Sequence, residues 1–171
     1  QQRGVLDATG YITARRQATV SAEMTGKVIE VLVEEGMQVE QGQLLARLDD
    51  ALLNASTELA QARLAEARSN LSEVEVSLVE AEANLARVRD LERSQLASTQ
   101  ALDEAIARVG TLNARLHSLQ RSIDVAERNV SLQQEQLADT FIRAPFTGVV
   151  INKAAQPGEI ISPVSAGGGF T

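Results

Sequence analysis

The stretch from Asp50 to Ala138 limits the possible folds most. It contains no proline, and its only glycine is Gly110. Proline breaks helix interiors and glycine weakens them, so this stretch can stay helical for a long distance. Apolar or small residues recur at Leu53, Ala60, Leu64, Ala67, Leu71, Val74, Leu78, Ala81, Leu85 and Val88, with polar Thr57 as one member of the series. A second series runs through Leu102, Ala105, Val109, Leu112, Leu116, Leu119, Ile123, Ala126, Val130 and Leu137, with polar Gln133 among them. Both alternate steps of three and four, the heptad pattern of coiled coils. Asp49 or Asp50 stands where a carboxylate caps a first helix. Ser98 or Thr99 stands at the start of a second, with Asp103 and Glu104 near its positive end.

The two series fit each other as an antiparallel hairpin folded near position 95. Residues whose numbers add to 190 then meet, so that Leu71 faces Leu119, Val74 faces Leu116, Ala81 faces Val109 and Leu85 faces Ala105. Large residues often face small ones, which fills a seam without crowding. The two polar members, Thr57 and Gln133, fall opposite each other, and a polar pair in a seam fixes register at some cost in stability. Composition agrees with a thin seam. Aromatic residues make up 2% of the chain and Trp is absent, yet apolar residues reach 44%. Each arm of about 40 residues reaches roughly 60 Å at ~1.5 Å per residue.

The flanks of the helical stretch resemble each other. A shift of 122 positions, without gaps, carries Ala22 onto Ala144, Thr25 onto Thr147, Gly26 onto Gly148, Val28 onto Val150, Ile29 onto Ile151, Gly36 onto Gly158 and Val39 onto Ile161. Each copy reads as β structure. Ile29, Val31 and Val33 alternate against Val28, Glu30 and Leu32 as in a strand, and Leu44, Ala46 and Leu48 continue a shorter one. Val149-Val150-Ile151 is the strand of the second copy. Glu35-Gly36, Gln41-Gly42 and Pro157-Gly158 supply turns. One copy of about 30 residues is too small to bury a core alone, whereas two can cover each other's apolar faces as a sandwich.

The segment from Val33 to Leu45, with Gly36 and Gly42, resembles the biotinyl/lipoyl carrier domain, whose two quasi-symmetric halves are joined by a tight hairpin bearing a modified lysine. The chain's only lysines, Lys27 and Lys153, lie in the repeated strand segments instead. The resemblance thus implies the fold without the carrier chemistry. At the apex of the hairpin, Arg87, Leu91, Ser98 and Asp103 stand at spacings similar to the tip motif of periplasmic adaptor (membrane fusion) proteins of tripartite export pumps. That resemblance spans about residues 19–165. It implies that Arg87, Leu91 and Ser98 touch the helical end of an outer-membrane exit channel. Ala97 departs from the family, which usually has a larger branched residue there.

The expected fold is α+β: a long antiparallel two-helix coiled-coil hairpin inserted between the two halves of a lipoyl-like β-sandwich. The expected boundaries are 1–18 for a strand segment of a β-barrel domain, 19–49 with 140–165 for the split lipoyl-like domain, 50–139 for the hairpin, and 166–171 for the start of a linker to the rest of the barrel. Because the chain opens on Gln1-Gln2 without Met, it is expected to be a piece of a longer adaptor.

The resemblance implies a periplasmic, inner-membrane-associated subunit linking an inner-membrane transporter of ABC or RND type to an outer-membrane channel, and a homo-oligomeric ring. It implies no enzyme activity and no cofactor. The net charge of −7, with 16 dispersed Arg and Lys residues, disfavours nucleic-acid binding. No cysteine is present, which removes thiolate metal sites. His117, the single histidine, reads as a solvated helix residue rather than a ligand or a catalytic base. Gly110 reads as a local bend or a close helix approach. Two other functions fit parts of the chain: a lipoyl- or biotin-type carrier and a cytoplasmic coiled-coil scaffold. A carrier needs a lysine on an exposed turn, and a plain scaffold needs neither the split β-domain nor the tip spacing.

Overall fold

The computed structural model describes residues 16–163 and 169–171. The chain divides into two compact units, one formed by Asp50–Ala138 and one by the residues on either side, up to Asp49 and from Asp139.

The helical unit is a two-helix hairpin of α1 (Ala51–Arg93) and α2 (Thr99–Ala138). Every member of both heptad series is buried or half-buried. The fully buried residues Thr57, Ala60, Val74, Leu85, Ala105 and Leu112 all belong to them. Two helices alone cover only one stripe of each other, so most of the seam stays half-exposed. The register follows from Gln133, which lies against Ser56 and Thr57. Ser56 Oγ donates to Gln133 Oε1 at 2.8 Å, sharing its proton with the Leu53 carbonyl at 2.9 Å. Thr57 Oγ1 is 2.8 Å from the Leu53 carbonyl and 3.5 Å from that of Gln133. The polar layer is therefore real, but Ser56 rather than Thr57 supplies the side-chain partner of Gln133. Arg68 joins Glu127 across the helices at 2.8 Å. Asp50 occupies the N-cap of α1 as expected, yet its own side chain makes no capping bond.

The β unit holds β1 (Val20–Ser21), β2 (Gly26–Val31), β3 (Gln38–Val39), β4 (Leu44–Leu48), β5 (Phe141–Arg143), β6 (Gly148–Val149), β7 (Ile160–Ile161) and β8 (Gly169–Phe170). A four-stranded sheet runs β5-β4-β2-β7, and the pairs β1-β8 and β3-β6 complete the unit. Its core includes Val28, Val33, Leu48, Val150, Ile161 and Phe170.

The 122-residue repeat is a pseudo-twofold in the hydrogen bonds themselves. The Gly36 amide donates to the Val150 carbonyl at 2.7 Å, and the Gly158 amide to the Val28 carbonyl at 2.8 Å. Val28 N–H bonds Glu159 O, while Val150 N–H bonds Met37 O. β2 pairs β7 through Gly26↔Ile161 and Lys27↔Ile160; β6 pairs β3 through Gly148↔Val39 and Val149↔Gln38. Each half thus supplies strands to the other. Gly36 and Gly158 both take positive φ, 84° and 91°, which side chains with a Cβ resist.

Three expectations need correction. Simple alternation along 28–33 fails, because β2 shifts register against β4 between Val28 and Glu30. That irregularity puts Val28 and Val33 in the core and leaves Ile29 and Leu32 each 44% exposed. The second copy's strand is shorter than Val149–Ile151, ending at Val149. Residues 166–171 are not simply linker, since Gly169–Phe170 pairs with Val20–Ser21 and Phe170 is 2% exposed. A large apolar ring is retained in the core, and its strand closes the second half. The barrel strand expected at 1–18 falls almost wholly outside the described residues, and no strand precedes Val20 within them.

Candidate functional site

The hairpin tip is built by a helix end, a five-residue link from Ser94 to Ser98 and a helix start. Ser94 closes α1, with its amide and Oγ both donating to the Asp90 carbonyl. The Gln95 amide then bonds Glu92 O at 2.8 Å, and the Leu96 amide reaches back to Leu91 O at 2.8 Å. This 5→2 and 6→1 pair is the Schellman pattern, which requires a left-handed residue just past the cap. Gln95 is that residue, at φ 58°. Glycine usually fills this position, so a glutamine there is no cue to such a turn. Ser98 opens α2, its Oγ accepting from the Ala101 amide at 3.2 Å. The serine expected as N-cap performs that task.

Arg87 and Leu91 lie one turn apart on α1, and residues four apart share a helix face. Arg87 is exposed and donates to Asn84 Oδ1 at 3.3 Å. Arg93 pairs with Asp90 at 3.5 Å, both highly exposed. Ser98 and Asp103 are also exposed. Leu91 is 45% exposed and Leu96, in the turn itself, 76%. Leu96 escaped the sequence reading because it breaks both heptad series and matches none of the tip spacings. The apex therefore offers two leucines, a forked cationic donor and a small hydroxyl, a set suited to gripping a protein surface.

The other candidates carry less. His117 is exposed and lies 3.2 Å from Gln120 Oε1. A Cβ built on Gly110 meets nothing within 4 Å, so close approach inside the hairpin does not explain that glycine. Among the described residues no group of His, Cys, Asp and Glu could hold a metal ion. No described helix is long and apolar enough to cross a membrane. The β unit has a cleft of about 410 Å³ lined in part by Val20, Leu45, Phe146, Val149 and Phe170. Lys153 Nζ is held by Glu34 at 2.6 Å, and its amide donates to Glu35 Oε1.

Known proteins share this layout. A model of the CzcB-like, barrel-sandwich hybrid domain matches residues 16–166. Macrolide export protein MacA of Yersinia pestis is 30% identical over 160 residues, 94% of this chain and 43% of that protein. Multidrug resistance protein MdtA of Salmonella heidelberg strain SL476 is 32% identical over 163 residues, 95% of this chain and 36% of its own length. The chain thus spans less than half of either relative. The crystal structure of MacA from Actinobacillus actinomycetemcomitans superposes with a TM-score of 0.82 at 25% identity, covering 91% of this chain and 48% of that one.

Proposed function

Because the chain belongs to the family of CzcB-like barrel-sandwich hybrid domains, we propose that it is the periplasmic part of an adaptor subunit that links an inner-membrane transporter, of ABC or RND type, to an outer-membrane channel for efflux or export. Its mechanism is assembly rather than catalysis. The β unit packs beside its copies in a ring, the hairpins line up alongside one another, and their tips dock on the channel through Arg87, Leu91 and Ser98. The names of the two curated relatives, a macrolide export protein and a multidrug resistance protein, support an export pathway.

The observation that carries this reading is the apex. A two-helix hairpin ends in a Schellman turn, with Leu91 45% and Leu96 76% exposed. Leucines exposed together at a turn serve recognition better than stability. The carrier alternative fares worse, since Lys27 sits within β2 and Lys153 is tied to Glu34.

Drug resistance conferred by the full-length protein tests the proposal. Arg87→Ala and Leu91→Ala are expected to lower resistance strongly at unchanged protein abundance and melting temperature, because both side chains are exposed. Parent-level resistance from both variants would overturn the docking role.

A further inference from the structure

Two neighbouring apolar residues at the apex stand in an order that folding alone does not favour. Leu96 is 76% exposed, whereas Ala97 beside it is half-buried. Burying a leucine stabilises far more than burying an alanine, so a turn shaped by stability alone would carry the larger residue at 97. Ala97 is also where this chain departs from the larger branched residue usual in the periplasmic adaptor motif. This tip holds its apolar bulk one residue earlier, on the surface.

The backbone shows how Leu96 is presented. Its amide donates to the Leu91 carbonyl at 2.8 Å, which makes it the second residue past the cap in the Schellman turn, just after left-handed Gln95. A leucine at this position has one common local use, contact with the residue three before the cap, here Leu91. With so much of Leu96 in solvent and Leu91 itself 45% exposed, that contact does not account for a leucine. The surroundings are neutral. No charged residue stands between Arg93 and Asp103, and Arg93 is paired with Asp90 at 3.5 Å. The Ser94 and Ser98 hydroxyls both bond the helix ends. Leu96 is the only large apolar side chain between Leu91 and Leu102.

We infer that Leu96 is a specificity-determining residue of the docking tip. It enters an uncharged, apolar socket one side chain wide on the end of the partner channel, and that socket decides which channel the adaptor accepts. This rests on the adaptor reading and adds to it a fourth contact residue and the chemistry of the surface it meets. An apolar knob discriminates by shape, because a partner without the socket either clashes with the leucine or leaves it in water. Arg87, Leu91 and Ser98 supply the grip, and Leu96 selects among channels that offer it.

Binding of the full-length protein to the host's outer-membrane exit channels, each purified in detergent and immobilised singly, tests this. Leu96→Ala and Leu96→Gln are expected to weaken binding to the preferred channel on the order of tenfold or more, and binding to the other channels much less. Leu96→Met, which conserves volume, should stay near the parent. The loss from Leu96→Ala should persist at high salt, whereas the loss from Arg87→Ala should shrink as screening grows. Adding Ala97→Leu to Leu96→Ala should not regain the preferred channel, because that leucine takes the half-buried position. Parent-like affinity in both Leu96→Ala and Leu96→Gln, or an equal loss toward every channel, would overturn the proposal; a parent that still binds, with Arg87→Ala impaired, would leave the adaptor reading standing. A lowered melting temperature with unchanged affinity would overturn it too, by showing that Leu96 only staples the turn. A parent that binds no channel would overturn the adaptor reading and this assignment with it.

Discussion

Ser98 is asked to do two things, and they can be separated. Its Oγ caps α2 by accepting from the Ala101 amide, and the docking reading asks the same hydroxyl to meet a partner. Ser98→Ala is expected to lower hairpin stability by about 1 kcal/mol in thermal or urea unfolding. Ser98→Asp keeps an equally good cap, so stability should hold, while the added charge should still impair drug resistance. If Ser98→Asp exports as well as the parent, the hydroxyl is a cap and nothing more. Gln95 gives a second prediction at this scale. It holds a left-handed backbone that costs a residue with a Cβ about 1–2 kcal/mol. Gln95→Gly relieves that strain but loosens the unfolded chain, so a net gain of up to about 1 kcal/mol is expected. A loss in unfolding experiments would show that the turn depends on the glutamine side chain.

Among the elements, the helices were more legible than the strands. Heptad spacing alone identified the seam, because a two-helix hairpin buries one stripe per helix and nothing else competes. The exchange of Ser56 for Thr57 at the polar layer was not legible. Adjacent hydroxyls differ there only in which way each points, and a seam pattern does not encode that. A double-mutant cycle on Ser56→Ala and Gln133→Leu should give a coupling of about 1 kcal/mol, as for one net hydrogen bond. A value near zero would mean that the Leu53 carbonyl keeps the Ser56 proton. The β strands were harder to place, because the β2 irregularity after Val28 resets the inside-outside phase and a period-two reading runs straight through it. The glycines were a surer guide than the apolar residues. Gly36 and Gly158 occupy matching turns at φ 84° and 91°. Gly36→Ala and Gly158→Ala are therefore expected to destabilise the β unit by similar amounts, about 1 kcal/mol each. A clear difference between them would show that the pseudo-twofold does not extend to energetics.

For the molecule as a whole, an internal repeat interrupted by a coiled coil was enough to read the architecture, since neither half of the repeat can bury a core alone and each lends strands to the other. The expected linker at 166–171 misplaces the end of the second half, since Gly169 begins β8 and Phe170 fills the core. The candidate site was half legible. Spacing picked out Arg87, Leu91 and Ser98, but the exposure of Leu96 depends on a left-handed Gln95 that no propensity predicts. The central claim is that this tip docks on an outer-membrane channel. A cysteine at Ser98, in cells making the full-length protein, should crosslink to the periplasmic end of a channel protein, while a control cysteine at Gln61, far down α1, should not. A channel crosslink from Gln61 with none from Ser98 would contradict the account and move the docking surface away from the tip.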